Sequence, residues 1–179
     1  HKVSRISESL TIGDSAFPNG VYVASAEDEP TLRELAAEEG VNFYALADAS
    51  TPEDVTRHRI GMYQRYWGGN MDEGWTRLVL EQFAFPYQTL MDDDIRSGDL
   101  SDKIDVLILP DDSPNMITGK GAKNRQKENP VPPDYRSGIG KKGVKAIRSF
   151  VEGGGTLVTL NRASAFAIEV LDLPVTDVL

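Results

Sequence analysis

Three short polar segments hold the residues best placed to do chemistry. Asp111 and Asp112 follow the aliphatic run Ile104 to Leu109, and Asn161 and Arg162 follow Thr156 to Leu160 (TLVTL). Gln64, Tyr66, Trp67 and Asn70 end or follow a third run, Arg59 to Gln64 (RIGMYQ). Adjacent carboxylates can serve as general acid and base when burial or a like charge raises one pKa. Aromatic side chains ahead of the flexible Gly68-Gly69 can form a stacking wall for a sugar, a peptide or a partner. Asp92-Asp93-Asp94 and Asp111-Asp112 offer hard oxygens to Ca²⁺ or Mg²⁺, but their spacing fits no EF-hand loop, and such runs are commonly solvated turns or helix starts. Gly138-Ile139-Gly140-Lys141-Lys142-Gly143 lacks the P-loop spacing and its closing hydroxyl, so it reads as a helix start. Ser164 has no base within its motif.

The elements that position these residues are legible from periodicity. Val21 to Ala24, Val41 to Leu46, Arg59 to Gln64, Phe85 to Leu90, Ile104 to Leu109 and Thr156 to Leu160 read as strands. The run at Ile104 is aliphatic enough for a strand buried on both faces. A helix opens at Glu29 with Pro30 in its first turn and closes at Gly40. A second begins near Asn70, whose spacing to Glu73 has the form of a capping box. Trp75, Leu78, Val79 and Phe83 recur at helical spacing and are expected to face the sheet. Further helices cover Gly140 to Val151 and Ala163 to Val170. Residues 1–20 read as a linker or loosely attached arm, Asp48 to Asp54 as a turn-rich linker, and residues 112–137 as a long polar loop.

Strands alternating with helices predict an α/β fold: a three-layer α/β/α sandwich with a mainly parallel, flavodoxin-like sheet over residues 21–179. Ligands in such sheets bind outside the carboxyl ends of the strands. That rule gathers Gln64, Tyr66, Trp67, Asn70, Asp111, Asp112, Asn161 and Arg162 into one candidate ligand or interface face.

Composition narrows the partners. The net charge of −9, from 19 basic against 28 acidic residues, argues against nucleic-acid binding and against adhesion to anionic lipid. The chain has no cysteine, so disulfides, thiolate metal sites and a cysteine nucleophile are excluded. No apolar run is long enough for a transmembrane helix. The polar opening HKVSRISESL lacks an initiator Met and any signal peptide, and the chain stops at LPVTDVL. Both ends read as cuts, which predicts an excised domain.

The blocks MYQRYWGGNMDEGWTRLVLEQFAFPYQTL, DVLILPD and GIGKKGVKAIRSFVEGGGTLVTLNRASAFAIE carry a resemblance. From Val21 onward the chain resembles the class I glutamine amidotransferase-like domain of bacterial zinc carboxypeptidase-like proteins. In those proteins this domain follows a carboxypeptidase A-type metallopeptidase domain. The resemblance implies a periplasmic or secreted parent, zinc in that other domain, and the peptidase domain as partner within the same polypeptide. It also implies a Cys on a strained strand-to-helix turn, backed by His and an acid. Asn161 stands at about that place, and the two histidines are His1 and His58, neither downstream. A zinc site of the peptidase class needs a His and a Glu three residues apart plus a distant His. Gly61 lies three beyond His58. The expectation is therefore no catalytic residue, no metal ligand and no cofactor in this chain, which serves as an accessory domain. The alternative is a divergent hydrolase using Asp111 and Asp112 on a small amide or glycan.

Overall fold

The computed structural model describes residues 2–47, 52–66, 69–120, 132, 138–176 and 178. They form two compact units, His1–Arg57 and His58–Leu179.

The first unit is built on short antiparallel strands. β1 (Val3–Ile6) pairs with β4 (Val21–Ala24) and with β5 (Glu53–Asp54), while β2 (Leu10–Ile12) and β3 (Ser15–Phe17) form a hairpin. The hairpin reverses over two residues, and Gly13 takes the positive φ of 57° that such a turn asks of its first position. The first twenty residues, expected as a linker or arm, thus carry three strands. Helix α1 (Glu29–Glu39) starts and stops as its sequence predicts, with Pro30 in the first turn and Gly40 at φ 67° as its left-handed cap. Val41 to Leu46 differs from expectation: its alternating apolar residues form no strand, and Val41, Phe43 and Tyr44 are exposed. A strand needs a neighbour for its N–H and C=O groups, and among the described residues this segment has none.

The second unit is a four-stranded parallel sheet with helices. Its strands are β6 (Ile60–Tyr63), β7 (Tyr87–Leu90), β8 (Val106–Leu109) and β9 (Thr156–Thr159), in the order β7-β6-β8-β9. Successive side chains point to opposite faces. One face, with Tyr63, Leu90, Leu107 and Leu109, joins Ile95, Ile117, Ile147, Phe150 and Phe166 in the hydrophobic core. Those partners come from α3 (Asp92–Ser97), α5 (Pro114–Thr118), α6 (Gly140–Glu152) and α7 (Ala163–Leu171). Leu100, in the short α4 (Leu100–Lys103), completes this layer. The opposite face, with Tyr87 and Thr89, meets α2 (Met71–Gln82) through Arg77, whose guanidinium donates to Tyr87 Oη (3.3 Å) and Thr89 Oγ1 (2.9 Å).

The side of α2 turned to the sheet is therefore not the one its apolar spacing predicts. Glu73 is buried and paired with Arg77, while Trp75, Leu78, Val79 and Phe83 are exposed. The expectation that these four line the core is corrected. On this face the buried Met62 and Ile108 are joined by a buried ion pair with hydrogen-bonding partners, and the helix's own apolar row is left outside.

The connection after β8 is also more structured than a plain loop. It includes α5, and Ile139 N donates to Ile117 O at 2.9 Å where the chain returns. Gly138 has φ 113°, and a Cβ there would stand 2.2 Å from Gly119 Cα. Only glycines allow this approach. The rest of the expected loop, 121–131 and 133–137, lies outside the described residues.

Candidate functional site

The strand order sets where a site can form. β6 connects to β7 on one side, and β7 returns to β8 on the other side of β6. The crossovers therefore diverge between the carboxyl ends of β6 and β8, the place where doubly wound sheets open a crevice. An open hollow of about 430 Å³ lies there, lined by residues that include Arg65, Asn70, Asp111, Asp112 and Arg162. Gly69, Met71 and Asp72 complete its wall.

Each side chain in it is held by a local cause. Asn70 caps α2: its Oδ1 accepts from Asp72 N (3.1 Å) and Glu73 N (3.3 Å), supplying part of what a helix N-terminus lacks. Its Nδ2 donates to Asp111 O at 3.1 Å, tying the helix start to the end of β8. The reciprocal half of the expected capping box does not form, because the Glu73 carboxylate accepts from Arg77.

Asp111 is braced from β9. Asn161 Nδ2 donates to its Oδ2 at 3.0 Å, Arg162 N to its Oδ1 at 3.1 Å, and Arg162 Nε to its Oδ1 at 2.9 Å. The hydrogen bond from the Arg162 side chain, reinforced by the Arg162 backbone N–H and the Asn161 amide, holds the Asp111 carboxyl below the usual range. Asp111 in turn raises the Arg162 guanidinium. Asn161 sits at φ 49°, in the left-handed region that asparagine tolerates better than most residues. Asp112 is more enclosed. Its Oδ2 accepts from Arg65 Nε at 2.5 Å, the two side chains being 7% and 11% exposed, and its Oδ1 accepts from Ser113 N.

Beside this hollow lies a buried polar link. Tyr63 donates its hydroxyl to Asp92 Oδ1 at 2.6 Å, and Gly138 N donates to Asp92 Oδ2 at 3.0 Å. Burial, with the Asp92 carboxylate second, pushes the Tyr63 hydroxyl pKa strongly upward. Asp92 therefore holds the end of β6 to the start of α6. Its neighbours are also engaged: Asp93 pairs with Arg96, and Asp94 Oδ2 accepts from Met91 N at the start of α3. The acidic run is a helix start.

Of the predicted site residues, the structure gathers Asn70, Asp111, Asp112 and Arg162 around one hollow, with Asn161 behind Asp111. Gln64 turns aside, its Oε1 accepting from Arg77 at 3.3 Å under α2. Tyr66 does not line the hollow, and Trp67 lies outside the described residues. Arg65 is the residue that sequence reasoning missed. A charged side chain directly after a buried strand, with two aspartates ending the next, is the signal that could have found it. Ser164 Oγ lies 3.4 Å from Thr159 Oγ1. Among the described residues no group of three or more His, Cys, Asp or Glu side chains could hold a metal ion. No described helix is long and apolar enough to cross a membrane.

In this arrangement Asp111 and Asp112 each pair with a guanidinium, that of Arg162 and that of Arg65. A proton-sharing pair needs two carboxyls against each other with one pKa raised; here Asp111 is driven the other way. No family model, curated protein or solved structure matches this chain.

Proposed function

We propose that this chain is a non-catalytic accessory domain of a larger, exported zinc carboxypeptidase-like hydrolase, similar to the class I glutamine amidotransferase-like domain of such proteins. Its strand-end face contacts the neighbouring peptidase domain of the same polypeptide. The finer fold in this reading is a flavodoxin-like three-layer sandwich. The order β7-β6-β8-β9 supports it, since it matches the first four positions of the 2-1-3-4-5 sheet.

The observation that carries the reading is the turn at Asn161. Its positive φ between β9 and α7 is the geometry that would present a nucleophile. The residue there is an amide, and its Nδ2 is committed to Asp111. A turn retained in shape while its side chain braces a neighbouring carboxylate fits a domain kept for support or contact. The alternative acid–base use of Asp111 and Asp112 would need one of them to hold a proton near neutrality, and Arg162 opposes this at Asp111.

Among the described residues no cluster fits zinc. His58 is flanked by Arg57 and Arg59, and the carboxylate near it, Asp105, is taken by Arg59. In this reading the metal belongs to the peptidase domain, and localisation is periplasmic or secreted. The test is an assay of the purified chain on glutamine, peptide and ester substrates, beside Asp111→Asn. The expected result is no hydrolysis above the uncatalysed rate in either protein. Turnover that Asp111→Asn abolishes would overturn the reading in favour of a divergent hydrolase.

A further inference from the structure

Helix α2 turns an apolar row to solvent. Met71, Trp75, Val79 and Phe83 stand four residues apart and are 81%, 66%, 52% and 70% exposed, with Leu78 and Phe85 exposed as well. Residues four apart form one ridge along a helix, the kind that interlocks with a ridge on another helix. At ordinary side-chain sizes these six expose roughly 700 Å². A typical monomer's largest apolar patch is about 300–600 Å², and each partner of a standard interface contributes about 800 Å². The row together with Leu78 and Phe85 therefore exposes nearly the area that one partner of a stable pair contributes.

A second copy can cover the row only where charge allows it. Two copies of a −9 chain repel, so their contact must be nearly free of carboxylates. Glu73 is paired with Arg77 toward the sheet, and Glu81 accepts from the Tyr87 hydroxyl. That leaves Asp72 as the charge on the outward arc. We propose that two copies of this chain pair through α2, antiparallel about a twofold axis. The midpoint of the row is residue 77, so a twofold there sets Trp75 against the partner copy's Val79, and Met71 against its Phe83. The same operation sets Asp72 against the other copy's Gln82, an amide donor facing the one carboxylate. The row is self-complementary in size and in hydrogen bonding, as an isologous contact must be.

Sedimentation equilibrium of the full chain tests this. The expected result is a concentration-dependent dimer whose Kd rises at least about 30-fold in Trp75→Glu, the loss of a hot-spot aromatic, with unchanged far-UV circular dichroism. Gln82→Asp, which sets carboxylates opposite each other, should weaken the dimer, and Gln82→Arg should tighten it. A chain that stays monomeric at high micromolar concentration, its row exposed or covered from within, overturns the proposal. So does a dimer indifferent to Trp75→Glu. A dimer lost in Trp75→Glu but indifferent to both Gln82 variants overturns the antiparallel register.

Discussion

The two faces of the parallel sheet are held in different ways by alternate residues of the same strands. On one face Leu90, Leu107 and Leu109 meet Ile147, Phe150 and Phe166 in a continuous apolar layer. On the other, Tyr87 and Thr89 meet the guanidinium of Arg77, itself paired with a buried Glu73. The first face is stabilised by area removed from water, which is non-directional and sums over many contacts. The second combines the buried side chains of Met62 and Ile108 with a few directional bonds around a charge, which break singly. The contrast teaches that a four-strand sheet can have one face fully committed to its own core while the other leaves the apolar row of its covering helix to solvent.

The largest effect should come from the apolar face. Phe166 is 1% exposed in the core cluster, so Phe166→Ala should lower unfolding free energy by about 3–5 kcal/mol, measured by urea denaturation. On the other face Arg77→Ala would leave buried Glu73 without its cation. For a partly exposed pair a loss of about 2 kcal/mol is expected, and Glu73→Gln in the same background should recover part of it. If Arg77→Ala proved as damaging as Phe166→Ala, the contrast between the faces would fail. A smaller effect marks the rim: Asn70→Ala removes the cap of α2 and should lose about 1 kcal/mol, with the earliest fraying at Met71 and Asp72 in amide exchange.

How far the sequence led can be judged element by element. Strand β8 was legible because an uninterrupted aliphatic run between polar breaks leaves few alternatives, and β6 and β9 because short, mostly apolar segments are bounded by polar turns. The strand-end gathering of Asn70, Asp111, Asp112 and Arg162 followed from topology, since a parallel sheet delivers the carboxyl ends of its strands to one edge. The orientation of α2 was not legible. Its apolar row has the right period, but periodicity cannot say whether such a row faces the sheet or the solvent. The pairing of Arg65 with Asp112 and of Tyr63 with Asp92 was hidden for a related reason. Both join residues far apart in sequence, and only the pairing of β6 with β8 and with β7 brings them together. The antiparallel strands before Val21 were missed because strands of three or four residues carry little periodic signal.

The account of the strand-end site turns on the charge state of Asp111. Its folded pKa lies below the unfolded value of about 3.9. The stability it contributes is therefore present above that unfolded value and is lost as pH falls through the folded one. The direct measurement is a carboxyl-carbon NMR titration of Asp111, with Arg162→Ala as comparison. The account predicts a midpoint below the ordinary carboxylate range that moves upward when Arg162 is removed. A midpoint raised toward neutrality, or one unmoved by Arg162→Ala, would contradict the brace and return Asp111 to the list of candidate acids.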